Sequence, residues 1–269
     1  MYEYSYIPFP EVTVLSTTIS LPSAVALVTG ASSGIGQATA RRLAARGATV
    51  VLVARRQDRI DLLAKEITEA GGQAVALTAD LTDADAAAGA VTTAVGQLGR
   101  LDILINNAGV MLTGDSVAAP LSEWENMVDI NVKGLLYVTK AALPHLIASA
   151  ADSPRQVADV VNISSIAGRF AFTAGAVYNA TKFGVTGATE AWRQEYARRN
   201  VRFSVVEPGL TRTELVGHQQ PAVQDRMAAR FADVEQLHPD DIAEAVEYIV
   251  TSPRRRAVAE IVIRPTDQV

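Results

Sequence analysis

The sequence predicts a doubly wound α/β domain, a parallel sheet with helices on both faces. Three observations predict it. Short apolar runs suited to buried strands alternate with longer stretches of helical period along most of the chain. The first run, Ala24–Thr29, passes directly into the glycine-rich turn Gly30-Ala-Ser-Ser-Gly-Ile-Gly36 and then a helix from about Gln37 to Arg46. The chain has 269 residues, 49% apolar and 20% charged, an ordinary globular composition with length for one large domain or two small ones.

Bulk properties narrow the function. A net charge of −5 argues against a general nucleic-acid binder. There is no cysteine, so no disulfide framework and no thiolate metal site. His145, His218 and His238 stand far apart in no metal-ligand pattern, and no metal is expected. Residues 1–22 read as an N-terminal arm ahead of a domain at 23–269. The arm has no basic start and no long apolar core, so it is not a secretory signal. Its Tyr2, Tyr4, Tyr6 and Phe9 suit either a flexible arm or a strap packed on the body. No stretch reaches the roughly 18 apolar residues of a membrane helix. A cytoplasmic protein with no membrane partner is therefore expected.

The strand–turn–helix at Gly30–Gly36 has a chemical reading. Its glycines let the backbone turn tightly and approach a pyrophosphate closely. The free N–H groups of the helix start, at Gly34, Ile35 and Gly36, hold the anion, and Ser32 and Ser33 add hydroxyls. The second strand is Ala48–Val53. The residue closing it faces the adenosine ribose in an open α/β sheet, and an acid there would bind the 2′-hydroxyl of NAD. Here Ala54 is followed by Arg55 and Arg56, and guanidinium suits a phosphate monoester, which selects NADP. Arg56 also fits as the start of the next helix, which leaves Arg55 the stronger candidate. The third strand, Gln73–Thr78, ends at Asp80-Leu81, where a carboxylate can meet the adenine amino group.

A helix follows from Asp83 to about Leu98, then a fourth strand, Leu101–Ile105, ending in Asn106-Asn107-Ala108-Gly109. Small residues at a strand end let a cofactor lie against the backbone. The next helix, about Ser122 to Ser149, contains Asn131 three residues before Gly134, a locally unfavourable choice of the kind that marks functional sites. A loop with Pro154 spans 147–158. The fifth strand, Val160–Ser165, ends in two serines. Tyr178 and Lys182 then stand four apart in the helical run Ala176–Gly184 and share one face. A lysine held near a phenol lowers its pKa and makes an acid/base for near-neutral pH. The sixth strand is Arg202–Glu207. Residues 210–237 read as a substrate lid. His238-Pro-Asp-Asp241 opens a helix to about Val250, and Ala257–Ile263 is the last strand.

Thr29-Gly-x-x-x-Gly-x-Gly36, Asn106-Asn-Ala-Gly109, Asn131, Ser165, Tyr178-x-x-x-Lys182 and Pro208-Gly209 occur in the order and at about the spacing of the short-chain dehydrogenase/reductase family, which the chain resembles from about Ser23 to Ile263. Within it, Arg193-Gln-Glu195 and the C-terminal Ile263–Val269 are similar to NADP-dependent reductases related to clavulanate dehydrogenase. The resemblance implies a single Rossmann-type domain with strand order 3-2-1-4-5-6-7. It implies Tyr178 as general acid in carbonyl reduction and Ser165 as hydrogen-bond donor to the substrate oxygen. Lys182 would lower the Tyr178 pKa and bind the nicotinamide ribose. Asn131 would hold a water in a proton relay, and Pro208, Gly209, Thr211 and Thr213 would close over the nicotinamide. Tyr178, Lys182, Asn107, Ala108 and Gly109 would also touch the cofactor.

The expected activity is reversible NADPH-dependent reduction of an aldehyde or ketone. A 3-oxoacyl thioester reductase is the alternative within the same chemistry. A silent NADP-sensing protein is the alternative from another class. Met111, Phe170, Phe172, Leu210 and Leu215 are the expected substrate pocket, apolar and without a cationic clamp. Leu136, Trp192 and Tyr196 on the outer faces of two helices would form an apolar patch, which predicts a homodimer or homotetramer.

Overall fold

The computed structural model describes residues 20–268. Residues 1–19, most of the expected arm, lie outside the described residues. Seven parallel strands form one sheet in the order β3-β2-β1-β4-β5-β6-β7, as expected. They are β1 Val25–Thr29, β2 Thr49–Ala54, β3 Gln73–Thr78, β4 Ile103–Asn106, β5 Ala158–Ile163, β6 Val201–Pro208 and β7 Glu260–Ile263. β1, β4, β5 and β6 are buried along their whole length. That is why they read as near-continuous apolar runs rather than alternating ones. The order reverses between β1 and β4, which pair directly. A crevice opens at the carboxyl ends of the strands at such a reversal.

One face of the sheet carries α1 Gly34–Ala45, α2 Gln57–Glu69 and α8 Pro239–Val250. Leu43, Ile60, Leu63 and Ile249 bury against it there. The other face carries α3 Ala84–Leu98, the run from α4 Leu121–Val128 to α5 Leu135–Asp152, and α6 Ala176–Tyr196. Val91, Val138, Leu146 and Phe203 form that second core. Within the expected arm, the chain already joins the body at Leu21. Leu21 is fully buried and its N–H donates to the Arg46 carbonyl.

Four expectations need correction. The helix α1 starts at Gly34 and not Gln37, so the last two glycines of the turn lie inside its first turn. Asp102 sits outside β4. Its carboxylate accepts from the Val25 N–H and pairs with Arg100, tying the strand starts together. The helix around Asn131 runs from Leu121 to Asp152 but is not uniform, because Asp129–Gly134 is a π turn that joins α4 to α5. Finally, Trp192 and Tyr196 are not an outer patch. Their rings pack on Phe203 of the same chain, at centroid distances of 5.5 and 5.8 Å. Leu136 remains exposed. The segment expected as a lid holds a short 3₁₀ helix, Glu214–His218, and α7, Pro221–Arg230. Among the described residues no helix is long and apolar enough to cross a membrane.

Candidate active site

A cleft of about 350 Å³ lies at the carboxyl ends of β1, β4, β5 and β6, from the glycine turn at one end to Tyr178 at the other. Gly30 has φ +65°, left-handed backbone that a side chain would strain. A Cβ on Gly36 would lie 2.4 Å from the Gly30 carbonyl oxygen, so only glycine lets α1 start this close to β1. Ser33 precedes α1 in extended conformation and makes no side-chain cap, and the first turn holds no acid. The first N–H groups of α1 are thus left for an anion, and the cradle fits the pyrophosphate of a dinucleotide.

Both arginines line the cleft, in different settings. Arg55 is exposed. Arg56 turns into the cleft, where its Nη2 donates to Ser32 Oγ at 2.9 Å and Ser33 Oγ at 2.8 Å. Its Nη1 donates to Glu214 at 2.7 Å, and Arg59 donates to the same carboxylate at 2.5 Å. These contacts hold the Glu214 carboxyl well down, to about 2, chiefly through Arg56 and then Arg59. Asp80 lines the cleft as expected, with its Oδ1 accepting from the Thr82 N–H and hydroxyl. The Thr82 backbone N–H is the main influence holding its pKa below the ordinary value, and Arg55 adds a smaller one. Leu81, Ile35 and Ala108 also line it.

Asn107 locks β4 to β1. Its side chain donates to the Thr29 carbonyl at 3.0 Å, and its N–H donates to Thr29 Oγ1 at 2.9 Å. A Cβ on the neighbouring Gly109 would stand 3.2 Å from Asn131 Oδ1 and 3.8 Å from Lys182 Nζ, so these three groups meet at one point. The buried Asn131 clamps Val110: its Oδ1 accepts from the Val110 N–H at 2.8 Å and its Nδ2 donates to the Val110 carbonyl at 2.9 Å. The Asn131 side chain is thus fully engaged with the Val110 backbone and with Thr181 Oγ1. Asn131 lies within the π turn Asp129–Gly134, an irregularity that often marks a functional site.

Ser165 opens a 3₁₀ turn and faces the cleft. Ser164 is buried and donates to the Lys182 carbonyl at 3.1 Å, whereas the Ser165 hydroxyl accepts from the Ala167 N–H at 3.1 Å. Asn179 fastens this loop to α6 by donating to the Ala167 and Phe170 carbonyls. Tyr178 is 4% exposed and Lys182 7%. Burial pushes the Tyr178 phenol up to about 12, against a smaller pull from the Ser165 hydroxyl. Burial also pushes Lys182 down to about 8. The expected lowering of Tyr178 by Lys182 is thus reversed in the free protein. Both groups lose water, and the Lys182 ammonium donates to the Ile163 carbonyl at 3.0 Å, with Nζ 5.8 Å from the phenol ring centre.

Pro208, Gly209, Thr211, Thr213 and Leu215 line the cleft beside Tyr178. The other four expected pocket residues do not line it. Met111 is buried in an apolar cluster with Tyr178 and Met127. Phe170 is exposed under the Arg264 guanidinium, and Phe172 is exposed too. The Leu210 N–H donates to Gln268. Val110, Ile130, His218 and Glu214, which the sequence did not single out for the site, line the cleft instead. The spacing between Glu214 and Arg56 is 158 residues, so no local pattern joins them.

The short chain dehydrogenase family model matches residues 24–224. This chain belongs to the short-chain dehydrogenase family. It is 36% identical over 252 residues to an uncharacterized oxidoreductase of Staphylococcus saprophyticus, covering 91% of this chain and 96% of the relative. A metagenomic short-chain oxidoreductase solved in complex with NADP matches at TM-score 0.77 and 34% identity, over 92% of this chain and 100% of that one. The 3-ketoacyl-(acyl-carrier-protein) reductase of Brucella melitensis, complexed with NADH, matches at TM-score 0.80 and 31% identity, over 93% and 100%.

Proposed function

We propose that this short-chain dehydrogenase reduces an aldehyde or ketone to an alcohol with NADPH, reversibly. One observation carries the reading. The Tyr178 and Ser165 hydroxyls stand at one end of the cleft whose other end holds the uncapped start of α1 and Arg56. NADPH would lie along that cleft on Gly30–Gly36, Asn107–Gly109 and Lys182, and would supply the hydride. The protein's part is proton delivery. A carbonyl gaining hydride becomes an alkoxide, which needs a hydrogen-bond donor and a proton. Ser165 provides the hydrogen bond. Tyr178 is fully protonated at neutral pH, as an acid for the reductive direction must be. Lys182, with a pKa near 8, is the proton source that recharges Tyr178.

NADP rather than NAD rests on the cationic corner at Arg55, Arg56 and Arg59 and on the NADP-bound relative. An apolar carbonyl fits the lining at Val110, Ile130 and Leu215, and suits the resemblance to the clavulanate dehydrogenase group. Likeness to the Brucella reductase favours 3-oxoacyl thioesters as the second reading. A silent cofactor sensor has no use for a buried lysine beside a buried tyrosine. The test is a panel of aldehydes, ketones and 3-oxoacyl thioesters with NADPH and NADH. Turnover with NADPH at a kcat/KM at least tenfold above NADH supports the reading. Equal use of both cofactors refutes the cofactor assignment, and tight NADPH binding with no turnover of any substrate refutes the activity.

A further inference from the structure

We infer that Glu214 is an internal competitor for the cofactor's 2′-phosphate, seated on the phosphate site by the lid until the cofactor displaces it. The inference rests on the reading of Arg56 as part of the 2′-phosphate site. The Glu214 carboxylate is bound by Arg56 Nη1 at 2.7 Å and Arg59 Nη1 at 2.5 Å, and Arg56 Nη2 donates to the Ser33 hydroxyl beside it at 2.8 Å. Two guanidiniums and a serine hydroxyl beside an uncapped helix start are the donor set of a phosphate monoester site. The carboxylate satisfies that set with its own charge.

Glu214 belongs to the lid and not to the sheet. It begins the 3₁₀ helix Glu214–His218, which follows the Thr213 cap. The far end of that helix is fixed, because Gln219 is 4% exposed and accepts from the Thr113 N–H at 2.7 Å. The segment between Thr213 and Gln219 is therefore a short flap whose Glu214 makes two charged contacts to the nucleotide corner. A 2′-phosphate on Arg56 and Arg59 repels the carboxylate and releases the flap. A 2′-hydroxyl brings no charge and leaves the contact in place. The free enzyme then binds 2′-phosphorylated nucleotide more weakly than its arginines alone allow, because the vacant phosphate site is only a fraction of the population. The side chains of Arg56, Arg59 and Glu214 are 38–43% exposed. Removing two such ion pairs corresponds to about threefold to tenfold in affinity.

The experiment measures binding of adenosine 2′,5′-bisphosphate and adenosine 5′-monophosphate by calorimetry to wild type, Glu214→Gln and Arg56→Ala. Thermal melts confirm folding of each variant. Glu214→Gln is expected to tighten the bisphosphate about threefold to tenfold and leave the monophosphate unchanged. Unchanged or weaker bisphosphate binding by folded Glu214→Gln overturns the inference, as does equal tightening of both probes. Arg56→Ala separates the two levels. If it abolishes the preference for the bisphosphate while Glu214→Gln tightens nothing, Glu214 is no competitor but the phosphate site stands. If it leaves the preference intact, the phosphate-site reading fails and the inference with it.

Discussion

Replacing Lys182 by Met should stabilise the free protein at neutral pH while abolishing its activity. Lys182 is 7% exposed, and burial depresses its pKa from 10.5 to about 8. At pH 7 the folded protein keeps the ammonium charged in a dry place, which costs about 3 kcal/mol relative to the unfolded chain. Met has a similar length and no charge. It forfeits the 3.0 Å hydrogen bond to the Ile163 carbonyl, worth about 1 kcal/mol. The net gain is then about 2 kcal/mol at pH 7. The sign follows from proton counts. The folded pKa lies below the unfolded one, so between about 8 and 10.5 the unfolded chain binds more protons, and wild-type stability rises with pH relative to the variant. Near pH 10 the burial cost has fallen to about 1 kcal/mol and the advantage of Met disappears. Urea unfolding of both proteins at pH 7 and pH 10, without cofactor, measures the difference directly. A variant less stable than wild type at pH 7, or an advantage that does not change with pH, would refute the claim that burial controls Lys182.

The oxidative direction needs the Tyr178–Lys182 pair to give up a proton, and the first proton leaves near pH 8 because Lys182 is the more acidic partner. Alcohol-oxidation kcat/KM should therefore rise with pH through an apparent pKa near 8, and a limb at about 10 or above would assign it to Tyr178 alone. Gly36→Ala should weaken NADPH binding at least tenfold and lower the melting temperature, because overpacking here meets backbone and costs about 1–3 kcal/mol; wild-type affinity by fluorescence titration would contradict it. The homo-oligomer expected from the family resemblance is tested by light scattering at micromolar concentration, which should give a mass above the monomer; a monomer mass would remove it from the account.

The sheet was legible because buried parallel strands read as apolar runs, and the strand–turn–helix at Gly30 because its glycines serve backbone geometry. Tyr178 and Lys182 were legible as neighbours, but the direction of their pKa shifts was not. Spacing on a helix reports proximity, whereas burial depends on the whole fold above them. The Arg56–Glu214 pair was not legible, because the two residues lie 158 positions apart. Trp192 and Tyr196 looked outward on the helix pattern, and Phe203 on β6 covers them from within the chain. Asn131 was marked by its misfit with an α-helix, and that misfit is the π turn itself.

The central claim is that Tyr178 delivers the proton while the rest of the cleft holds the cofactor. Tyr178→Phe keeps the buried ring and removes only the hydroxyl. Paired measurements on the folded variant, NADPH affinity by fluorescence and turnover of one accepted carbonyl, test it most directly. Turnover should fall by about 10²–10⁴-fold with NADPH affinity unchanged. Near-wild-type turnover by a folded, NADPH-binding Tyr178→Phe protein would contradict the account.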